Sequence, residues 1–266
     1  MRNLPQYPVY VISKGRYGKE GRTARFLQRD EVPFRLVVEP QEESLYRAGF
    51  PDAEIAVLPF SNLGLGSIPA RNWCWEDAKA AGHARHWILD DNIKKVDHWH
   101  DGKRVVCASG PALACVEDFA DRYTNLAIAG FNYRGLAHSN GRQARAPFQR
   151  NARVYSSLLI LNDLPQRWRG RYNEDTDLCL QVLAAGWCTA LVNAFLIDKA
   201  ATMTMRGGNT AELYQGDGRL AMARSLERLW PGVATVTRRY GRPQHSVNWK
   251  RFTTPLIRAV PAREQE

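Results

Sequence analysis

The sequence predicts an α/β fold built on a mostly parallel sheet with helices packed against it. In the N-terminal half, short apolar segments alternate with segments of helical composition, which is the pattern of βαβ units. Two of the apolar segments, Tyr7–Ile12 and His86–Leu89, run into polar residues, as strands of parallel sheets do where they end at a binding site. No repeat, low-complexity tract or obvious linker interrupts the 266 residues, so we expect a single domain.

Each predicted strand is a short run of β-branched, aromatic or other apolar residues. The strands predicted in the N-terminal half are Tyr7–Ile12, Phe34–Val38, Ile55–Leu58 and His86–Leu89. The helices predicted between them are Thr23–Arg29, Glu42–Arg47 and Pro69–Ala81. The second half is less regular. Its predicted elements are strands near Leu126–Ala129 and Val154–Leu161 and helices over Thr176–Ala185 and Arg219–Trp230.

The chain carries a net charge of +10 and has a sequence pI of about 9.6. This charge favours a polyanionic partner such as nucleic acid or an anionic membrane surface, although solubility alone explains it equally well. No signal peptide is recognisable, and no stretch approaches the ~20 apolar residues of a membrane helix. Without such a stretch we expect no membrane partner. The five cysteines form no CxxC pair, so we expect free thiols in the cytoplasm and no structural zinc ion.

Asp90-Asp91-Asn92 directly follows a predicted strand. Adjacent carboxylates repel each other, so this arrangement calls for a compensating cation. A divalent metal ion that carries diphosphate oxygens would compensate them, because Mg²⁺ and Mn²⁺ favour carboxylate and phosphate ligands. The alternative is a turn or helix cap, in which aspartate and asparagine are common.

Glu174 and Asp175 stand at the start of a well-marked helix that ends before Gly186. The helix dipole stabilises carboxylates at this end, and a carboxylate held there could accept a proton from an attacking hydroxyl group. Plain helix capping is an equally good interpretation of these two acids.

The segment Ser67–Asn72 follows a glycine-rich turn and places Arg71 and Asn72 in the first turn of a helix. Helix N-termini and arginine side chains both suit phosphate groups. Further along, Arg206–Thr210 could cradle a phosphate with its backbone N–H groups, and a simple turn is the alternative there.

Together and in this order, the motifs resemble those of the inverting family-2 glycosyltransferases of the GT-A fold. The resemblance extends from about Val9 to Trp187 and includes the basic loop after the first strand, the Ala-Arg-Asn helix, the acidic strand end and the Glu-Asp helix. It implies one Rossmann-like GT-A domain over residues 1–266. Residues from 1 to about 100 would bind the nucleotide sugar, and those from about 101 to 266 the acceptor and catalytic base.

A closer resemblance, to the phage TET-associated DNA glycosyltransferases, covers nearly the whole chain. It rests on the segments Asn62–Trp73, His86–Asn92, Arg167–Asp177 and Arg206–Thr210. It implies transfer of a hexosyl or N-acetylhexosaminyl group from a nucleotide sugar, with a UDP-sugar as the expected donor. The implied acceptor is a 5-hydroxymethylpyrimidine in DNA, above all 5-hydroxymethylcytosine. The implied location is the host cytoplasm, for a phage-encoded protein.

The resemblance also implies roles for individual residues. Asp175 is the expected catalytic base, and Glu174 is expected to orient the acceptor or to bind sugar hydroxyls. The residues expected to hold the nucleotide sugar are Ser13, Lys14, Arg16, Glu39, Arg71, Asn72, Asp90, Asp91, Gly207, Gly208 and Asn209.

The expected cofactor is a divalent metal ion, Mn²⁺ or Mg²⁺. Family-2 enzymes usually carry a metal-binding aspartate at the third position of the strand-end motif, but this chain has Asn92 there. Either Asp91 takes the metal or Asn92 binds it weakly through its amide oxygen, which leaves strict metal dependence open. His245 is a further candidate ligand, because some GT-A enzymes use a C-terminal histidine.

Between Arg122 and Asn162 the chain contains no acidic residue. Arginines and aromatic residues are interleaved there, a combination typical of segments that contact nucleic acid through phosphates and stacked bases. The candidate DNA-binding residues are Arg134, Arg142, Arg145, Arg150 and Arg153. A solvated basic loop is the alternative.

Other functions compete with this interpretation. The first is the same transfer onto a glycan, lipid or protein acceptor. The second is a non-catalytic DNA-binding module of the same fold, against which the intact acidic residues of both motifs argue. A nuclease that uses carboxylates and metal ions is a weaker third alternative.

Overall fold

The computed structural model describes residues 2–100, 102–135, 146–199, 218–239 and 241–260. Its strands are β1 Val9–Ile12, β2 Arg35–Val38, β3 Glu54–Val57, β4 Arg85–Asp90, β5 Ile93–His100, β6 Lys103–Cys107, β7 Leu126–Tyr133, β8 Phe148–Arg150, β9 Ser157–Leu161, β10 Cys188–Lys199, β11 Ala234–Arg239 and β12 Arg242–Val247. Its α-helices are α1 Arg22–Arg29, α2 Glu43–Gly49, α3 Ile68–Ala80, α4 Ser109–Ala120, α5 Glu174–Ala184 and α6 Gly218–Leu229. Short 3₁₀ helices span Pro40–Glu42 and Trp249–Arg251. None of these helices has the length and hydrophobicity needed to span a bilayer.

Ten of these strands form one sheet, in the order β3-β2-β1-β4-β9-β7-β10-β5-β6, with β8 also paired to β10. Strands β1 to β4 run parallel to one another, and β10 runs parallel to β7. Strand β9 runs antiparallel between β4 and β7, and β5, β6 and β8 add antiparallel pairs on the other side. The expected α/β fold with a mostly parallel sheet is therefore confirmed. Strands β11 and β12 form a separate two-stranded sheet.

The strand order changes direction between β1 and β4. From β1 the chain proceeds outward to β2 and β3, and it then returns to the other side of β1 as β4. In open α/β sheets, such a change of direction leaves a crevice at the carboxyl ends of the two central strands, and ligands bind there. The polar residues that follow Ile12 and the segment Asp90–Asn92 both lie at this crevice.

Apolar side chains bury both faces of the sheet. On β4, Trp87 and Leu89 pack against the helical layer that includes α1 and α4, whereas Ile88 packs on the other face with α3 and α5. None of these three residues is more than 2% exposed. Burial on both faces explains why this strand is a continuous apolar run, because strict alternation is needed only when one face meets solvent.

The C-terminal part of the described chain packs against α5. Leu180 of α5 is fully buried with Leu226 of α6 and Ala234 of β11. After β12 the chain crosses back toward β9, where the Asn151 side chain donates hydrogen bonds of 3.0 Å to the carbonyls of Phe252 and Thr254. These contacts hold the β11–β12 hairpin beside the segment that leads into β9.

Candidate active site at the ends of β1 and β4

A cavity of about 220 Å³ opens at the carboxyl ends of β1, β2 and β4. The candidate residues that line it are Ser13, Lys14, Arg16, Glu39, Arg71, Asp90, Asp91, Asn92 and Glu174. They come from five separate parts of the chain: the segments after β1, β2 and β4, and the starts of α3 and α5. Arg171 and Tyr172 also line the cavity, and the sequence interpretation did not assign them a role although they directly precede the Glu-Asp motif.

Asp91 is fixed by the loop that follows β1. Its Oδ2 accepts a hydrogen bond of 2.7 Å from Ser13 Oγ, and its Oδ1 forms an ion pair with Arg16 Nη1. The hydroxyl of Tyr46 lies 2.7 Å from Ser13 Oγ and accepts a hydrogen bond from the Arg16 backbone N–H. Burial raises the pKa of Asp91, and Arg16 opposes this shift. Both oxygens of this carboxylate are therefore held by the protein itself.

Asp90 lies between two cations. Its Oδ1 accepts a hydrogen bond of 2.9 Å from Arg71 Nη2, and its Oδ2 accepts one of 2.6 Å from Lys199 Nζ. Burial alone would raise the pKa of Asp90, but the charges of Lys199 and Arg71 outweigh it and hold this pKa well below its ordinary value. Asp90 is therefore a permanent anion at neutral pH, and its charge is compensated within the protein.

Lys199 ends the long strand β10, and nothing in its sequence context marks it as a site residue. Burial disfavours its charge, but Asp90 more than offsets burial, so the pKa of Lys199 lies above its ordinary value. Its Nζ also donates hydrogen bonds to Ser156 Oγ at 2.7 Å and to the Tyr133 hydroxyl at 3.2 Å. The ammonium group thus joins the end of β4 to the residues just before β9.

The backbone of Ser156 connects the two acidic motifs of the site. Its φ angle of 64° is left-handed, which is uncommon for a residue other than glycine. Its carbonyl accepts a hydrogen bond of 2.9 Å from the Asp90 N–H, and its own N–H donates one of 3.0 Å to Asp175 Oδ2. One buried residue therefore contacts both acidic motifs directly.

Arg71 is the second junction between the motifs. Its side chain is 5% exposed, and Nη1 lies 3.3 Å from Asp175 Oδ1 while Nη2 binds Asp90. Its Nε donates a hydrogen bond of 3.0 Å to Ser67 Oγ, and its guanidinium lies 4.6 Å from the centre of the Trp168 ring. With these contacts, Arg71 positions the two carboxylates.

Glu174 and Asp175 form the first turn of α5, directly after Asn173 in the left-handed conformation. Glu174 faces the cavity, whereas Asp175 faces Arg71 and the Ser156 N–H. Burial raises the pKa of both carboxyls. Their proximity raises that of Glu174 further, and the charge of Arg71 opposes both shifts. A buried carboxylate with a raised pKa is a better proton acceptor than an exposed one.

Lys14 and Glu39 close the cavity at the ends of β1 and β2. Lys14 Nζ lies 3.0 Å from Glu39 Oε2 and donates a hydrogen bond of 3.0 Å to Asn62 Oδ1. The backbone N–H of Asn62 donates in turn to Glu39 Oε1 at 3.1 Å. Burial opposes the charge of Glu39, but hydrogen bonds from Lys14, Gln41 and the Asn62 backbone keep its pKa below the ordinary value.

Asn72 does not line this cavity in the described chain. Its side-chain amide pairs with the backbone of Trp168, donating to the carbonyl at 3.0 Å and accepting from the N–H at 3.0 Å. The sequence placed it on the nucleotide because of its position in the first turn of α3. In the structure Asn72 instead holds the backbone of Trp168, whose ring packs against the Arg71 guanidinium.

The candidate DNA-binding arginines are dispersed. Arg134 forms ion pairs of 3.2 Å with Asp97 and Asp198, Arg150 is exposed on β8, and Arg153 lies over the ring of Tyr155.

Several candidates lie outside the described residues. They are the DNA-binding candidates Arg142 and Arg145 and the nucleotide-sugar candidates Gly207, Gly208 and Asn209.

The three candidate metal ligands do not meet at one site. Asp91 and Asn92 line the cavity, but His245 lines a different cleft with Arg153. In the described part of the chain, no three histidine, cysteine, aspartate or glutamate side chains are arranged to hold a metal ion. However, Asn92 Oδ1 is buried without a hydrogen-bond partner. Asp91 and Asn92 therefore fit a divalent ion that takes most of its ligands from phosphate oxygens.

This fold, with acidic strand ends around a cavity and a carboxylate pair on the adjacent helix, defines an α/β enzyme for a nucleotide-linked substrate. The family model for the TET-Associated Glycosyltransferase matches residues 7–208, well over half of the chain. The chain therefore belongs to this family, and it is a nucleotide-sugar-dependent glycosyltransferase. No curated protein matches it at a significant level.

Solved structures of nucleotide-sugar enzymes are similar to this chain. A protein described as a nucleotide-diphospho-sugar transferase from Desulfovibrio desulfuricans is 8% identical, with a TM-score of 0.37 over 68% of this chain and 77% of that chain. Glucosyl-3-phosphoglycerate synthase from Mycobacterium tuberculosis, solved with Mg²⁺ and UDP, is 12% identical, with a TM-score of 0.49 over 91% of this chain and 87% of that chain.

The ion pair between Lys199 and Asp90 should stabilise the fold in a defined pH window. The pKa of Asp90 falls on folding from an ordinary value of 3.8, so its contribution is present above that value and is lost as the pH falls through the folded pKa. The pKa of Lys199 rises on folding from an ordinary value of 10.5, so its contribution is complete below that value and is lost as the pH rises.

We expect Lys199→Met to lower the free energy of unfolding by about 2 kcal/mol near neutral pH, because it removes one of the two cations that compensate the half-buried Asp90 carboxylate. Thermal unfolding between about pH 3 and about pH 11 measures the effect, which should shrink at both ends of this range. The matched control is Lys79→Met, whose Nζ lies 3.8 Å from the exposed Asp163. It should cost less than about 0.5 kcal/mol. A loss from Lys199→Met that does not vary with pH contradicts the prediction.

Proposed function

We propose that this glycosyltransferase moves a hexosyl or N-acetylhexosaminyl group from a UDP-sugar onto 5-hydroxymethylcytosine in DNA, with inversion at the anomeric carbon. The observation that carries the proposal is the carboxylate pair Glu174 and Asp175 at the start of α5, beside the cavity at the strand ends. Two further facts support the DNA acceptor: the net charge of +10 and membership of a family described as TET-associated. The division into a donor half and an acceptor half near residue 100 belongs to the same proposal.

The donor would lie in the cavity at the ends of β1, β2 and β4. Lys14 and Glu39 would frame the nucleoside, and Asp90 would accept hydrogen bonds from ribose hydroxyls. Arg16, Arg71 and Lys199 place cationic groups around the strand ends. Their positive charge would favour the departure of the nucleoside diphosphate, because preorganised charges stabilise an anion as it develops.

Asp175 would act as the general base. The hydroxymethyl oxygen of the acceptor attacks the anomeric carbon of the sugar, and Asp175 takes the hydroxyl proton. The bond between the anomeric carbon and the diphosphate oxygen breaks, and the nucleoside diphosphate leaves with the bonding electron pair. Attack on the face opposite the leaving group inverts the anomeric centre. Glu174, which faces the cavity, would bind sugar hydroxyls or orient the acceptor.

The acceptor base must leave the DNA stack to reach Asp175, because enzymes that modify a base act on an extruded or single-stranded nucleotide. Arg150 and Arg153 would contact phosphates near this position, and Arg142 and Arg145 stay predicted DNA contacts. Arg134 is a weaker candidate, because its guanidinium already forms ion pairs with Asp97 and Asp198.

A Mg²⁺ or Mn²⁺ ion bound with the donor would be held by Asn92 and Asp91 and would neutralise charge on the diphosphate. Asn92→Asp replaces a neutral ligand by a charged one, so we expect it to tighten UDP binding in the presence of Mn²⁺ by about tenfold. Titration calorimetry measures this affinity, and the same titration in EDTA is the control. Equal Mn²⁺-dependent affinities for the two proteins would remove Asn92 from the metal site.

The acceptor is tested by incubating the protein with Mn²⁺ and a set of UDP-sugars on DNA that contains 5-hydroxymethylcytosine. Mass spectrometry should detect the added sugar on this DNA and none on unmodified DNA of the same sequence. Transfer to glycan, lipid or protein acceptors but not to modified DNA would show that the acceptor is misassigned. If the folded protein transfers no sugar from any donor, the proposal is wrong.

Asp175→Asn should lower the transfer rate by about 10²-fold to 10⁴-fold, the range that a positioned general base contributes. Binding of UDP should change little, because Asp175 does not line the donor cavity. The matched control is Asp163→Asn at a side chain that is 98% exposed, and it should leave both quantities unchanged. Normal turnover of Asp175→Asn would make the assignment of the base wrong.

A further inference from the structure

A second cleft, of about 290 Å³, lies between the β11–β12 hairpin and the segment that leads into β9. Arg153 comes from that segment, Arg239 and Gln244 come from the hairpin, and Trp249 follows it. The cleft is separate from the donor cavity, since the two share no lining residue among those that the structure describes.

The cleft is positively charged. No acidic residue lines it within the described chain, and neither Arg153 nor Arg239 forms an ion pair with a described residue. The donor cavity differs in this respect, because Arg16 and Arg71 there are each paired with a carboxylate. Two arginines without carboxylate partners at the edges of a cleft suit an anionic ligand, and phosphate is the anion whose geometry arginine matches best.

The cleft also offers groups that suit a nucleobase. Trp249 presents a half-buried indole ring, and bases stack on such rings without regard to sequence. Gln244 can both donate and accept hydrogen bonds. His245 Nδ1 is buried and has no hydrogen-bond partner. Phosphate-binding arginines next to an aromatic ring are the combination that binds single strands.

A short stretch of chain connects the cleft to the proposed base. The guanidinium of Arg153 lies 4.2 Å from the centre of the Tyr155 ring, and the N–H of the next residue, Ser156, donates to Asp175 Oδ2 at 3.0 Å. Three residues of extended chain span about 11 Å at most, so Arg153 and Ser156 are no further apart than that. A DNA strand whose target base reaches Asp175 therefore passes close to the cleft.

We propose that this cleft binds a nucleotide of the acceptor strand beside the modified base, with its phosphate between Arg153 and Arg239 and its base against Trp249. This inference rests on the DNA acceptor proposed above and specifies where the strand lies. It assigns to the β11–β12 hairpin the task of holding an unpaired strand.

The test measures binding of a labelled single-stranded oligonucleotide that contains one 5-hydroxymethylcytosine, by fluorescence anisotropy at a series of salt concentrations. Each phosphate contact contributes about 0.7 to the slope of log K against log salt for a single strand. Arg239→Gln should therefore reduce the magnitude of the slope by about 0.7. The matched control, Arg238→Gln, removes the same charge from the adjacent residue, which does not line the cleft, and should leave the slope unchanged.

Trp249→Leu tests the stacking contact. It should weaken binding without changing the slope, because stacking releases no counterions. Thermal unfolding checks that this variant is folded, since Trp249 also packs against the core.

An unchanged slope for Arg239→Gln, or an equal reduction for Arg238→Gln, would overturn the phosphate site. Unchanged affinity for Trp249→Leu would overturn the stacking contact. A wild-type protein that neither binds this oligonucleotide nor glycosylates it refutes the DNA acceptor itself, and this inference falls with it. Normal glycosylation of DNA by wild type, together with an unchanged slope for Arg239→Gln, refutes the inference alone.

Discussion

The candidate active site depends on one buried guanidinium that bridges two carboxylates from distant parts of the chain. Arg71 contacts Asp90 at the end of β4 and Asp175 at the start of α5, and the ring of Trp168 covers its face. A cation buried to this degree would be costly to desolvate without partners, so the two anions and the guanidinium require each other. This mutual requirement fixes the donor cavity relative to the proposed base before any substrate binds.

The two carboxyls that Arg71 contacts have pKa values shifted in opposite directions. Asp90 also binds Lys199 directly, and the two cations lower its pKa, whereas at Asp175 burial outweighs the nearby cations and raises the pKa. Environments that separate the pKa values of nearby carboxyls assign them different tasks. Asp90 remains an anion and organises the site, while the raised pKa of Asp175 suits the role of base proposed for it.

The sequence was informative where candidate site residues stand at the end of a strand or the start of a helix. The apolar run before Asp90 predicted a strand end and the acids Glu174 and Asp175 predicted a helix start, and the structure has both, because strand ends and helix starts are local properties. Lys199 could not be found in this way, since only the pairing of β10 brings it to Asp90.

Strand β5 was not predicted from the sequence, because its charged residues break the apolar pattern that marks a strand. Asp97, for example, is buried beside Lys95 and Arg134. His245 and Asn72 were assigned by position along the chain, which does not show where their side chains point.

The left-handed backbone at Ser156 has a consequence for how such enzymes can diversify. Its carbonyl binds the Asp90 N–H at the end of β4 and its N–H binds the Asp175 carboxylate of α5, so a shift of this one residue moves the end of β4 and the start of α5 together. The donor and acceptor positions proposed above are thus mechanically coupled, and neither can be adjusted alone from within the sheet. New specificity for sugar or acceptor must then arise at the rim, in loops and in the hairpin, where substitutions leave this junction intact.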